Sequence, residues 1–220
     1  LSLTESIIEE LKIQNINMHK ILGIGHPRTG TGYTSKLLEQ FGLNVGHEKL
    51  YDDGIVAWQW VLNHDYFTGN ERLPYTKLKN PAQYEFETFI YNTRNPKTSI
   101  SSIMFTENRS IKIRSRFFPK IQEGKTPLEK AILSITEFDK EIKSKYPMHF
   151  QYRIEDQQQQ LYDRLSQTYE LKSDWKLPST KTNTRKHHTE INWNDCGGEY
   201  KILINKYCRS YGYDLIYTDL

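Results

Sequence analysis

Between Ile21 and Lys36 the chain reads Ile-Leu-Gly-Ile-Gly-His-Pro-Arg-Thr-Gly-Thr-Gly-Tyr-Thr-Ser-Lys: an apolar strand, a turn dense in glycine and threonine, then the opening of a helix. No other stretch constrains the fold as tightly. A strand that feeds a helix through such a turn returns to its sheet by a crossover, which leaves the helix N-terminus at the strand's carboxyl edge. Successive backbone N–H groups in the turn, together with the positive end of the helix dipole, favour an anion there. The competing reading is an ordinary strand-to-helix turn whose glycines only permit close packing.

The rest of the chain repeats the alternation. Lys20 to Gly25 reads as the first strand; Tyr33, Leu37, Leu38 and Phe41 then recur at helical spacing until Gly42 stops them. Leu43 to Gly46 reads as a second strand running into His47 and Glu48, and Ile55 to Leu62, with Trp58 and Trp60, as a buried helix. Residues 66–82 read as loop. Phe86 to Thr93 alternates like a strand and exits through Arg94-Asn95-Pro96, with Asn95 placed to cap a helix that Pro96 opens. Thr126-Pro127-Leu128-Glu129 is a capping box ahead of a long apolar stripe from Leu128 to Ile142. Met148 to Ile154 predicts another strand, Leu161, Leu165 and Tyr169 a helix, and Glu199 to Tyr211 a last helix ending at Gly212. A short amphipathic helix is expected over Ser6 to Leu11. Strands alternating with helices in this way predict an α/β chain, a three-layer α/β/α sandwich around a central, mainly parallel sheet, with residues 1–220 forming a single domain.

Composition narrows the function classes. Thirty basic residues against 27 acidic ones give a net charge of +3, too mild to announce a nucleic-acid partner, so any anion site must be local. Two cysteines, Cys196 and Cys208, make neither a disulfide framework nor a zinc spacing. No apolar run has the length of a transmembrane segment and no signal pattern is visible, so the expected location is the cytoplasm.

Gly25 and Gly30 have the spacing of the nucleotide-triphosphate P-loop, but Thr31 and Gly32 stand where that motif places lysine and then serine or threonine. Without the lysine and the magnesium-binding hydroxyl, the turn is poorly equipped to split ATP. Arg28 supplies charge instead: its guanidinium is permanently protonated and presents parallel donors that suit phosphate or sulfonate oxygens. Thr29 and Thr31 are expected to add hydroxyl donors. Arg94 ends a strand and Ser102 follows eight positions later on the next helix, so two donors converge near one helix start. Taken alone, that pair is equally an ordinary strand exit and a helix serine.

Taken together, Pro27-Arg28-Thr29-Gly30-Thr31 and the later Arg94 and Ser102 resemble the two nucleotide signatures of the sulfotransferases that use 3′-phosphoadenosine 5′-phosphosulfate (PAPS). Phe150 to Asp156 is similar to that family's Tyr-Glu-Asp strand exit, and Tyr211-Gly212-Tyr213-Asp214 to its common last-helix ending. The resemblance implies a P-loop fold in which Arg28, Thr29, Gly30, Thr31, Gly32 and Tyr33 embrace the 5′-phosphosulfate while Arg94 and Ser102 hold the 3′-phosphate. It implies PAPS as donor co-substrate, no metal, and a small-molecule, carbohydrate or peptide acceptor sulfonated on a hydroxyl or amine. Cytosolic members carry lysine at the place of Arg28 and Thr-Trp at the place of Gly32-Tyr33, so the resemblance is nearer the tyrosylprotein and bacterial branches that carry arginine.

The transfer also needs a base for the acceptor proton. Glu48 follows a strand end on the same sheet edge and resembles the glutamate after the second strand in the tyrosylprotein branch; screened from water, it would have a raised pKa. His47 is the alternative, because an ordinary imidazole titrates near neutrality. A late basic loop folds over the nucleotide in the family, which implies a 3′-phosphate contact for Arg185 and Lys186; a solvated charge run explains the same residues. Ile111 to Lys120 interleaves basic and apolar residues and reads as an amphipathic segment with its basic side in water, or as a mobile lid contacting an anionic acceptor or a membrane surface. Two other functions fit the same signals: a P-loop nucleotide kinase or phosphotransferase, and a nucleotide-binding protein without turnover.

Overall fold

Five short apolar stretches, β1 (Asn17–Ile24), β2 (Val45–His47), β3 (Gly54–Val56), β4 (Tyr84–Thr93) and β5 (Phe150–Arg153), pair side by side in the order β2-β3-β1-β4-β5, every pairing parallel. The structure is a computed structural model that describes residues 17–62, 84–106, 108–147, 150–179 and 190–219. The helix expected over 6–11, the loop over 66–82 and the basic loop with Arg185 and Lys186 lie outside the described residues.

Side chains alternate across the sheet, as the strand repeat requires. Ile21, Val56 and Ile90 face one layer, built from Leu37, Leu38 and Phe41 at α1 (Thr31–Gln40) and from Leu161 and Leu165 of α5 (Gln158–Leu165). Leu22, Ile55 and Tyr91 face the other, where α2 (Pro96–Thr106) contributes Ile100 and Ile103, α4 (Pro127–Lys145) its stripe from Leu128 to Ile142, and α6 (Gly198–Tyr211) Ile204 and Tyr207. The architecture is therefore α/β, with an all-parallel central sheet between two helical layers. The helix α3 (Asn108–Phe117) and a 3-10 turn over Pro119–Glu123 join α2 to α4. Among the described residues no helix is long and apolar enough to cross a membrane.

Local signals set the helix ends. The Thr126 hydroxyl accepts the Glu129 amide at 3.2 Å and the Glu129 carboxylate accepts the Thr126 amide at 3.0 Å, so the capping box forms. Asn95 Oδ1 accepts the Lys97 amide at 2.9 Å ahead of Pro96, and Gly212 closes α6 in the left-handed conformation.

One expected element is corrected. Gly54 to Val56 is the strand β3, and only Trp58–Val61 winds, as a 3-10 turn. A short apolar run carries no period that separates strand from helix, and pairing with β1 and β2 decides it. Gly54 is required there, since a Cβ would come within 1.9 Å of the Ile21 carbonyl oxygen. The link from β2 to β3 is only residues 48–53, far shorter than the crossover that parallel strands ordinarily need. Within this link Glu48 takes the left-handed conformation, with φ 54°, and Tyr51 and Gly54 exchange backbone hydrogen bonds at 3.0 and 3.1 Å.

Candidate functional site

At the carboxyl edge of the sheet stand Arg28 in the turn after β1, His47 and Glu48 at the end of β2 and Arg94 after β4, with Thr31 to Tyr33 on the first turn of α1 and Ser102 on the second turn of α2. In open α/β sheets, ligands bind outside this edge. After β1 the chain turns through Arg28 (φ 83°) and Gly30 (φ 97°), both left-handed. Glycine adopts that region freely; for arginine it is a strain on the order of 1 kcal/mol that the surroundings must hold.

Packing beneath the turn supplies the hold. Asn92, buried on β4, donates through Nδ2 to the Thr29 carbonyl at 2.9 Å and the Thr29 hydroxyl at 3.1 Å, and a Cβ at Gly25 would stand 2.7 Å from this amide. Thr29 directs both its amide and its hydroxyl to the His26 carbonyl, at 3.0 and 2.7 Å. This corrects the expectation that Thr29 offers its hydroxyl to an anion: the group is buried and spent inside the turn. Gly30 accepts the first intrahelical bond from the Thr34 amide at 2.9 Å. The amides of Thr31, Gly32 and Tyr33 therefore form the first turn of α1, which has no intrahelical acceptor to offer them. Tyr33 lies beside them, with Gln158 donating to its hydroxyl at 3.4 Å; burial raises its pKa against that bond.

Three residues far apart in sequence meet over this turn. Arg28 donates through Nε to the Ser102 hydroxyl at 2.9 Å, and Arg94 donates through Nη1 to the Arg28 carbonyl at 3.3 Å. Arg94 is half-buried. Burial lowers its pKa, against the opposing influence of Glu155 and Tyr213, but a guanidinium stays protonated throughout. Glu155 ties the strand exits together: its carboxylate accepts the Asn95 amide at 2.8 Å and the Tyr213 hydroxyl at 3.2 Å. The stretches 150–156 and 211–214 are thus packed against the Arg94 corner, and Arg153 donates to the Gly212 carbonyl at 2.6 Å.

On the other side of the turn stand the two residues weighed as base. The His47 ring lies over Gly32 and hydrogen-bonds the Thr31 hydroxyl through Nε2 at 3.2 Å. Its screened ring has a lowered pKa, burial against the helix start outweighing the nearby Glu48 carboxylate. The Glu48 carboxylate accepts the Trp58 indole N–H at 2.8 Å, which fixes it beside the 3-10 turn. Trp58 and Trp60 are otherwise core residues.

Sequence reasoning missed the layer below. His26 is buried and bonds Ser134 of α4, and Arg114 of α3, fully buried, donates to the same serine. The basic side of the 108–117 helix therefore does not lie wholly in water: Lys112 and Arg116 are exposed, Arg114 is not. The signal was present, because Ile111, Arg114, Ser115 and Phe118 share one helical face. Among the described residues no group of three or more His, Cys, Asp or Glu side chains is arranged to hold a metal ion, and Cys196 and Cys208 are separate buried thiols.

Comparison of the chain with protein-family models, with curated proteins and with solved structures returns no match.

Proposed function

We propose that the chain transfers a sulfonate from PAPS to a hydroxyl or amine acceptor. The observation that carries this reading is the meeting of Arg28, Arg94 and Ser102 at one sheet edge, over a helix start whose turn holds arginine and no lysine. A P-loop built for a nucleoside triphosphate places lysine and a magnesium-binding hydroxyl at Thr31 and Gly32. A phosphosulfate carries less charge at the reacting end and is served by a fixed guanidinium and helix amides.

In this reading Arg28 and the amides of Thr31, Gly32 and Tyr33 take the 5′-phosphosulfate, and Arg94 with Ser102 takes the 3′-phosphate. The acceptor oxygen or nitrogen attacks sulfur in line, and the bond from sulfur to the bridging oxygen breaks. The electron pair leaves with the adenosine bisphosphate, whose phosphate Arg28 neutralises. Glu48 takes the acceptor's proton through the carboxylate oxygen left over from its Trp58 bond. His47, held neutral by burial and therefore able to accept a proton, is the second candidate for that step.

Thermal unfolding with nucleotides tests the reading. 3′,5′-Adenosine bisphosphate is expected to raise the midpoint without magnesium, and ATP to raise it weakly. Equal, magnesium-dependent stabilisation by both overturns the proposal in favour of a phosphotransferase. Binding of the bisphosphate without sulfonate transfer to any of a broad acceptor panel points to a non-catalytic nucleotide-binding protein.

A further inference from the structure

Beneath the turn, three buried side chains form a hydrogen-bond chain whose direction the chemistry fixes. The Pro27 carbonyl can only accept, so His26 Nδ1 carries the proton and donates to it. Nε2 of the neutral ring is then an acceptor, and the Ser134 hydroxyl donates to it at 2.8 Å. The serine oxygen in turn accepts Nε–H of Arg114 at 3.0 Å. All three groups are buried. The ring's electrostatics agree with this assignment: burial first, then Arg114, hold its pKa well below the ordinary value against the Pro27 bond, and Arg28 adds to the lowering.

The chain ends on one particular peptide. Pro27 C=O belongs to the planar trans unit whose N–H is that of Arg28, and in such a unit the two groups point in opposite directions. With the carbonyl drawn inward to His26, the Arg28 amide is turned away from the buried layer. A bond accepted by the carbonyl also polarises the amide across the same unit. Arg28 sits in the left-handed conformation, with Gly30 left-handed two positions on, an arrangement in which neighbouring amides can line an anion-binding concavity.

We infer that Arg114 is a positioning residue for the anion-binding turn, acting through Ser134 and His26 on the Pro27–Arg28 peptide so that the Arg28 amide is presented to a phosphate or sulfonate. The inference rests on the reading of the turn as a nucleotide site, and it gives the buried arginine of α3 a role apart from the ligand itself. Arg114 meets no reacting atom; it sets the direction and strength of a backbone donor that does. Its charge, felt at the His26 ring, also keeps the imidazole in the neutral form that the chain requires.

Two readouts test it on the full chain. The Arg28 amide resonance is followed by NMR in the ligand-free protein, and the affinity for 3′,5′-adenosine bisphosphate is measured by calorimetry without magnesium. Ser134→Ala cuts the chain at its middle while removing only one oxygen. It is expected to move the Arg28 amide proton and to weaken the bisphosphate about tenfold, the effect of losing one well-aligned donor. Arg114→Met, which keeps bulk without charge, is expected to weaken binding as much, and the double variant no more than the worse single one, because groups acting as a unit are not additive. If Arg114→Met does not fold, Ser134→Ala alone still decides. An unmoved Arg28 amide in Ser134→Ala overturns the inference, as do losses that add in the double variant. A wild-type protein that binds no bisphosphate sinks the nucleotide reading instead. In that case the Arg28 amide shift in Ser134→Ala, measured without ligand, decides the positioning role.

Discussion

Arg28 Nε donates to the Ser102 hydroxyl at 2.9 Å, joining the turn after β1 to the helix after β4 across the middle of the sheet. The two groups meet because β4 pairs beside β1. Arg28 is also the strained member of the pair, with φ 83°.

Function and stability therefore separate at this residue. Arg28→Ala is expected to abolish sulfonate transfer while weakening bisphosphate binding less, and Arg94→Ala to do the reverse. Calorimetry beside a transfer assay distinguishes them; unchanged bisphosphate affinity in the Arg94 variant removes that arginine from the 3′-phosphate site. Arg28→Gly is expected to be as inactive as Arg28→Ala but more stable than it by about 1 kcal/mol in urea unfolding, because glycine adopts the left-handed region without strain.

Glu48→Gln keeps an acceptor for the Trp58 indole and removes only the capacity to take a proton. It should lower kcat about 100-fold or more with the bisphosphate affinity unchanged. His47→Asn should lower it only a few-fold, through the lost contact with the Thr31 hydroxyl. The opposite ranking of the two variants would transfer the base to His47.

Much of this was legible because it is local. The capping box at Thr126, the Asn95-Pro96 helix start and the glycine turn ahead of α1 are each decided within a few residues, and each forms as its sequence reads. The meeting of Arg94 and Ser102 with Arg28 could not be read locally, since nothing between positions 28 and 94 announces that β4 lies beside β1. What could not be read was decided by partners distant in the chain. Ile55 and Val56 are strand rather than helix because β1 offers them a ladder, and the Thr29 hydroxyl turns inward because Asn92 and the His26 carbonyl meet it there. Arg114 faces inward because Ser134, on the next helix, waits for it.

Glu129 does more than close a capping box. Its carboxylate accepts amides from Lys125 at 2.7 Å, Thr126 at 3.0 Å and, through its other oxygen, Gly197 at 3.0 Å, so one side chain joins the start of α4 to the start of α6. Glu129→Ala should cost about 2 kcal/mol in urea unfolding, and Glu129→Gln, which keeps an oxygen acceptor, clearly less. Equal losses would mean that packing, and not these bonds, is what the residue supplies.

Acid should destabilise the fold in two windows of opposite chemistry. His26 is buried neutral, its pKa held well below 6.5, while the unfolded chain protonates its histidine near that value. Below about 6.5 the unfolded state thus binds the extra proton, and stability is lost as the pH falls towards the folded pKa. Glu129 has a lowered pKa as well, although burial acts against ionisation, because the Gly197, Thr126 and Lys125 amides outweigh it. Its contribution is complete above about 4.5 and is lost as the pH falls through the folded value. Urea midpoints taken from pH 7.5 down to pH 3.5 should therefore decline first through the histidine window and then more steeply through the carboxylate one. His26→Gln should reduce the first decline and leave the second, and Glu129→Gln should do the converse. His47, whose pKa burial also lowers, accounts for what remains of that decline, so a His26→Gln, His47→Asn double variant whose profile still falls between pH 6.5 and 5 would show that another group governs that range.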